Sequence, residues 1–289
     1  MPDTKNQRTA TTEDFFAETQ RRQQALLKRL NESEMITVAG VVHASGAGGA
    51  RSCGEEQWTL LFDLQPWRNP AGEIDDRKLV VRKPVSEQEL HELRNFIRPY
   101  DILTLRARVA APDAGDSDWV HALLVGKPEK SARDVELEAR AAKLQTPVIL
   151  QDAFFGQLTL DRALNRYEVE TTWRSMPILL YLSQEGCDDP NQVVQAARDL
   201  WEEQMQWDQR IRDYAVQKLL DLKNGSWLDD LEQEVSAEEF KKRMTLESIV
   251  LCPNGSFEFI HNDGDLFWGH SIMIRGTLTE GPTAADIAG

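Results

Sequence analysis

Cysteine is scarce in this chain of 289 residues: Cys53, Cys187 and Cys252 are odd in number and far apart. That excludes a disulfide scaffold and an all-cysteine metal knuckle, and it predicts a reducing, cytoplasmic setting. Long apolar runs are missing as well. No stretch approaches the roughly 18 residues that a membrane span requires, so no membrane partner is expected. The opening Met1-Pro2-Asp3-Thr4-Lys5-Asn6 has neither the basic start nor the apolar stretch of a secretory signal. Positive charge is in deficit, with 33 Lys and Arg against 48 Asp and Glu, for a net charge of −15. Familiar catalytic patterns are absent too: no phosphate loop, no His-Glu-x-x-His, no Cys-x-x-Cys, no Gly-x-Ser-x-Gly. No cofactor is expected.

What is present is a foldable chain about two domains long, 41% hydrophobic and 28% charged. The expected class is α+β, with an N-terminal OB-like small β-barrel carrying one inserted helix and a C-terminal antiparallel sheet packed by a long helix. Residues 1–34 read as an N-terminal helical segment, with Thr11 and Asp14 spaced as a capping box and Phe15, Phe16, Leu26, Leu27 and Leu30 on its apolar face. Residues 35–126 carry five strand patterns, Ile36–Val42, Trp58–Leu64, Leu79–Arg82, Ile102–Val109 and Trp119–Val125. A helix is inserted before the fourth, capped by Ser86 and striped by Leu90, Leu93, Phe96 and Ile97, and that order is OB-like. Gly46–Arg51 reads as a flexible hairpin loop and residues 127–147 as a linker helix between domains.

Residues 148–289 begin with strands at Phe155–Leu160, Tyr167–Trp173 and Ile178–Leu182. Asp189-Pro190 caps a long or once-broken helix that carries Val193, Ala197, Leu200, Trp201, Ile211, Ala215, Leu219 and Leu222. A short helix follows Ser236, then a hairpin turns at Asn254-Gly255, and His270–Leu278 is the last strand expected.

Charge is unevenly spread along the chain. Residues 1–34 are balanced, residues 35–150 hold 17 acids and 15 bases, and residues 151–289 hold 25 acids and only 12 bases. An acidic second half repels a phosphate backbone and attracts a basic surface. Its densest run, Asp229-Asp230-Leu231-Glu232-Gln233-Glu234, reads either as a solvated loop or as a lure for a cationic partner. The second candidate lies between His261 and His270. Asn262-Asp263-Gly264-Asp265 has turn chemistry and could also present Asp263 and Asp265 to a partner. His261, Asp263, Asp265 and His270 together have the donor types of a divalent-metal site, which leaves a metal-dependent hydrolase as an alternative. Phe267, Trp268 and His270 are expected in the core and sheet. In the first half, Trp58, Phe62, Trp67 and Trp119 could stack on bases or sugars, with Arg77, Lys78, Arg82 and Lys83 along a backbone track. The slightly acidic balance of that half argues against nucleic acid.

Four segments of the second half carry a likeness: Phe154–Asp161; Trp201 with Trp207-Asp208 and Ile211–Ala215; Phe240–Met244; and Gly264–Ile272. Over residues 148–289 the chain resembles the bacterial domain-of-unknown-function family 2262, the last segment most specifically. The family brings no established activity. Related small α+β families with acidic helical layers include immunity partners of bacterial toxins, so the resemblance implies a non-enzymatic protein that binds a basic protein, possibly a toxin domain. Acid–base steering would give such a pair a fast on-rate.

Overall fold

The structure, a computed structural model, describes residues 12–51, 56–69, 72–110, 119–131, 133–187, 189–229 and 232–289, with side chains described from residue 21 onward. The capping box at Thr11, the rings of Phe15 and Phe16, Cys53 and Asp230 lie outside these. The chain divides into two compact units, Met1–Thr146 and Pro147–Gly289.

The first unit runs α1 (Thr12–Glu32), β1 (Met35–Ala50), β2 (Trp58–Arg68), β3 (Lys78–Val85), α2 (Glu87–Phe96), β4 (Ile102–Ala110), β5 (Trp119–Lys130) and α3 (Val135–Gln145). The strands close into a barrel in the order β1-β2-β3-β5-β4. Only the β3–β5 pair within it is parallel. The inserted α2 makes that connection possible, because parallel neighbours need a crossover. Strand alternation turns Leu60, Phe62, Leu64, Leu79 and Val81 into the lumen. Ser86 accepts the amide of Glu89 at 3.1 Å, as its spacing implies, but Glu89 pairs with Lys83 instead of completing the box. Leu90, Leu93 and Ile97 are buried. Phe96 departs from the expected stripe: it is exposed, with the Lys130 ammonium 4.7 Å above its ring.

Two readings of this unit need correction. The glycine-rich segment Gly46–Ala50 is strand, the far half of β1 beyond a register shift. Its glycines allow close packing: a Cβ on Gly49 would sit 2.5 Å from Leu90 of α2. The supposed linker helix α3 packs on the barrel, burying Leu137 and Ala141 against Ala39 and Val41. Arg68 of β2 ties it down through Asp134, which also caps the helix, and Glu136.

The second unit is an eight-stranded sheet with helices on one face. It runs β6 (Ile149–Asp152), β7 (Gly156–Asp161), β8 (Arg166–Trp173), β9 (Met176–Ser183), α4 (Pro190–Glu202), α5 (Gln204–Ser226), α6 (Ala237–Arg243), β10 (Thr245–Leu251), β11 (Ser256–Asn262), β12 (Ser271–Thr277) and β13 (Gly281–Ala288). Two four-stranded antiparallel meanders meet at a central parallel pair, β9–β10, where the helical segment crosses. Asp189 caps α4 through the Asn191 amide, and the long helical pattern breaks once, at Glu203 (φ −103, ψ 16); Leu222, expected on its apolar stripe, is exposed near the end of α5. Tyr167, Val169 and Trp173 of β8 point into the core, while Glu168, Glu170 and Thr172 point out. A chain of edge-to-face rings runs through that core from Trp201 to Trp173 to Phe259 to Phe257 to Trp207, with centroids 4.9, 5.6, 5.3 and 5.4 Å apart.

Candidate functional site

β11 ends at Asn262, and the chain reaches β12 through a loop that Asp263 organises. Asn262 Oδ1 accepts the Gly264 amide at 2.9 Å. The Asp263 carboxylate, 1% exposed, accepts the amides of Asp265 at 3.2 Å, Phe267 at 2.6 Å and Gly269 at 3.1 Å. The turn chemistry read from the sequence is therefore present. Asp263 itself is a loop organiser whose oxygens face backbone N–H groups, not a carboxylate offered to a partner. These bonds hold an uncommon backbone: Gly264, Asp265, Trp268 and Gly269 all have positive φ, of 55°, 64°, 56° and 85°. For the two non-glycine residues that conformation costs roughly 1–2 kcal/mol each. The loop buries Leu266 and Phe267 and turns Trp268 outward, 57% exposed. This corrects the expectation that Trp268 is a core residue.

The acidic run meets the same loop. Trp227, just past α5, lies against Trp268 (4.7 Å between ring centroids), Phe267 (5.5 Å) and His270 (5.4 Å). Lys223 on α5 is fully buried, and its ammonium donates to Trp227 O at 2.7 Å and Glu232 Oε2 at 2.6 Å. Glu232 Oε1 accepts from Arg243 at 3.2 Å, and Arg243 Nε donates to Gly264 O at 2.7 Å. Glu232 is thus the clasp between α5, α6 and the Asp263 loop, and its charge is matched inside the protein. The Lys223 ammonium chiefly, then the Asp229 amide and Arg243, hold its carboxyl below the usual range despite burial. This removes Glu232 from the residues available to a partner. Asp229, Glu234 and Asp265 are exposed and make no salt bridge among the described residues. Asp265 lies three positions before the exposed Trp268, and Asp229 two positions after Trp227, whose ring rests against that of Trp268.

The metal reading does not assemble. His261 faces the core, fully buried, with Nδ1 lacking a hydrogen-bond partner among the described residues. Burial first, and Arg212 second, push its pKa down to about 3, so it is neutral. His270 Nδ1 lies 2.7 Å from Phe267 O. Among the described residues no group of three or more His, Cys, Asp or Glu is placed to hold a metal ion.

In the first unit the candidate rings are mostly inside. Phe62 and Trp67 are buried, Trp58 is half-buried, and Trp119 is exposed with Lys78 5.3 Å above its ring. Lys78 also pairs with Asp63, Lys83 with Glu89 and Arg77 with Asp75. Arg82 is half-buried, 3.4 Å from His121 Nδ1. None of these four presents the solvated, unpaired charge of a phosphate track.

Residues 152–287 match the family DUF2262, described as an uncharacterized protein conserved in bacteria, so the resemblance of the second half is shown. Residues 22–144 match DUF7021, a domain of unknown function, which the sequence reading did not identify. No curated protein matches the chain. Among solved structures, a single-stranded DNA binding protein from Thermus aquaticus is similar over 51% of this chain and 72% of its own, at 10% identity and a TM-score of 0.24. A likeness of that size carries no argument.

Proposed function

We propose that the second unit is a docking module that binds a positively charged protein surface without performing chemistry. Trp268 would be its anchor, with the exposed Asp229, Glu234 and Asp265 as the acidic complement to a cationic partner. The observation that carries this reading is the exposed Trp268 on a loop locked by three hydrogen bonds to Asp263 and backed by Trp227. Binding hot spots are enriched in tryptophan, and a pre-organised anchor avoids the cost of ordering on association. The exposed carboxylates would steer a cationic partner and raise its on-rate. A basic toxin domain met by its immunity protein is one instance of such a pair. The free thiols of Cys187 and Cys252 suit a reducing cytoplasm as the place of action, and no described helix is long and apolar enough to cross a membrane.

Surface plasmon resonance against proteins encoded beside this chain's gene tests the reading. The expected complex has an on-rate that falls with added salt, and Trp268→Ala weakens it by about 2 kcal/mol, the size of a hot-spot truncation. Trp119→Ala on the first unit leaves it unchanged. A complex indifferent to salt and to Trp268→Ala would mean the docking surface lies elsewhere.

A further inference from the structure

The second unit holds 25 acids and 12 bases, yet four of those bases, Arg174, Arg212, Lys241 and Lys242, line a single cleft. Its volume is about 520 Å³, within the range of small-molecule sites. The cleft opens between the β8–β9 turn, the first half of α5 and the junction of α6 with β10. One carboxylate, that of Asp208, 4% exposed, lies at its floor and pairs with both Arg174 and Arg212. Lys241 is matched by Asp213 and Lys242, more loosely, by Glu239 at 3.7 Å. The two guanidiniums therefore share one negative charge, which leaves a surplus positive charge at an opening in an otherwise acidic unit.

Further contacts hold Arg212 and the backbone of Arg174 in place. Arg212 donates through Nε to Asp208 and through Nη1 to Lys241 O and Met244 O, and its Nη2 has no partner among the described residues. Arg174 uses Nη1 on Asp208 and sits in a tight turn with positive φ at both central residues, 48° at Arg174 and 68° at Ser175. Asn and Gly are the residues that fit such positions without strain. The Gln204 side chain accepts the Arg174 amide at 2.8 Å and fixes the strained turn. Strained backbone of this kind persists where surrounding contacts over-determine it, often at ligand clamps.

We propose that this cleft binds a small organic oxyanion, a carboxylate or a phosphate monoester. Arg174, with only Nη1 engaged among the described residues, would grip its head through the Nε/Nη2 fork, which matches both groups, and Arg212 would add a single bond from Nη2. Met176, exposed on the cleft wall, would lie against an apolar body. The assignment is independent of the docking reading and lies on other residues.

Calorimetric titration of the full chain with inorganic phosphate, phenyl phosphate and benzoate, at matched ionic strength, tests it. Saturable binding of at least one of the three is expected, with the aromatic esters or acids tighter than inorganic phosphate. A preference between phenyl phosphate and benzoate identifies the head group. Arg174→Gln should weaken the binding about tenfold, and Arg174→Lys should restore part of it, because charge returns without the fork. Arg275→Gln, a remote pair on the sheet edge, is the control and should bind as the parent does. Circular dichroism shows whether each variant is folded; if Arg174→Gln is not, Arg174→Lys carries the test through its partial loss of affinity. No saturable heat from any ligand, or equal affinity in parent and folded variants, overturns the proposal.

Discussion

At the scale of single residues, burial reverses what the sequence displays. Asp229 to Glu234 read as a uniform acidic run, yet Glu232 is the partner of the fully buried Lys223. Removing one member of a buried pair leaves the other charged and desolvated. Glu232→Ala should therefore lose about 3 kcal/mol in urea denaturation, whereas Glu234→Ala at an exposed position should lose almost nothing. Glu232 is ionised at lower pH in the fold than in the unfolded chain. Its contribution is thus complete above the ordinary carboxylate value and disappears as pH falls through the depressed one. His261 acts in the same direction for the opposite reason. It is held neutral with a pKa of about 3, while the unfolded chain protonates near 6.5. The unfolded state binds the extra proton between those values, so stability declines as pH drops below 6.5. By pH 5 the loss from this ring is about 2 kcal/mol. In His261→Leu that part of the acid decline should vanish in urea melts compared at pH 7 and pH 5, and an unchanged decline would refute the assignment.

At the scale of elements, periodicity made most of the secondary structure legible. Its failures have particular causes. β6 has four residues, and β13 begins Gly281-Pro282 and is rich in alanine, so neither carries the β-branched alternation of β8 or β12. Both are edge strands, recruited by a neighbour rather than by their own propensity. β12 and β13 approach so closely at Gly276 that a Cβ there would lie 2.1 Å from Gly281 O and 2.7 Å from the Phe257 ring. Gly276→Ala should cost about 3 kcal/mol, the upper range of overpacking, as measured by urea melts. Capping was readable in full at Ser236, which accepts the Glu239 amide at 3.2 Å. Ser236→Ala should cost about 1 kcal/mol. Trp268, expected in the core as a large ring beside Phe267, is instead turned outward by its positive φ. A left-handed residue before β12 leaves no trace in periodicity.

At the scale of the whole molecule, each unit closes a core of its own: the barrel around Leu60, Phe62 and Leu79, and the helix-backed sheet around Trp173, Ile211 and Phe259. Residues 147–289 expressed alone should therefore unfold cooperatively in urea and retain near-ultraviolet tryptophan ellipticity. A gradual, featureless melt would show that the second core depends on the first half of the chain.

Local periodicity, capping and composition suffice for the class of each half, the order of the main strands and helices and the surplus of acid in the second half. Which acids are free and which are matched, that Trp268 faces outward beside Trp227, and that Arg174 and Arg212 share one carboxylate are set by packing between distant elements. The physical reason is that charge and exposure are properties of neighbours. Lys223, Glu232, Arg243 and Gly264 lie up to 41 positions apart, and only the folded packing of α5, α6 and the β11–β12 loop brings them into contact.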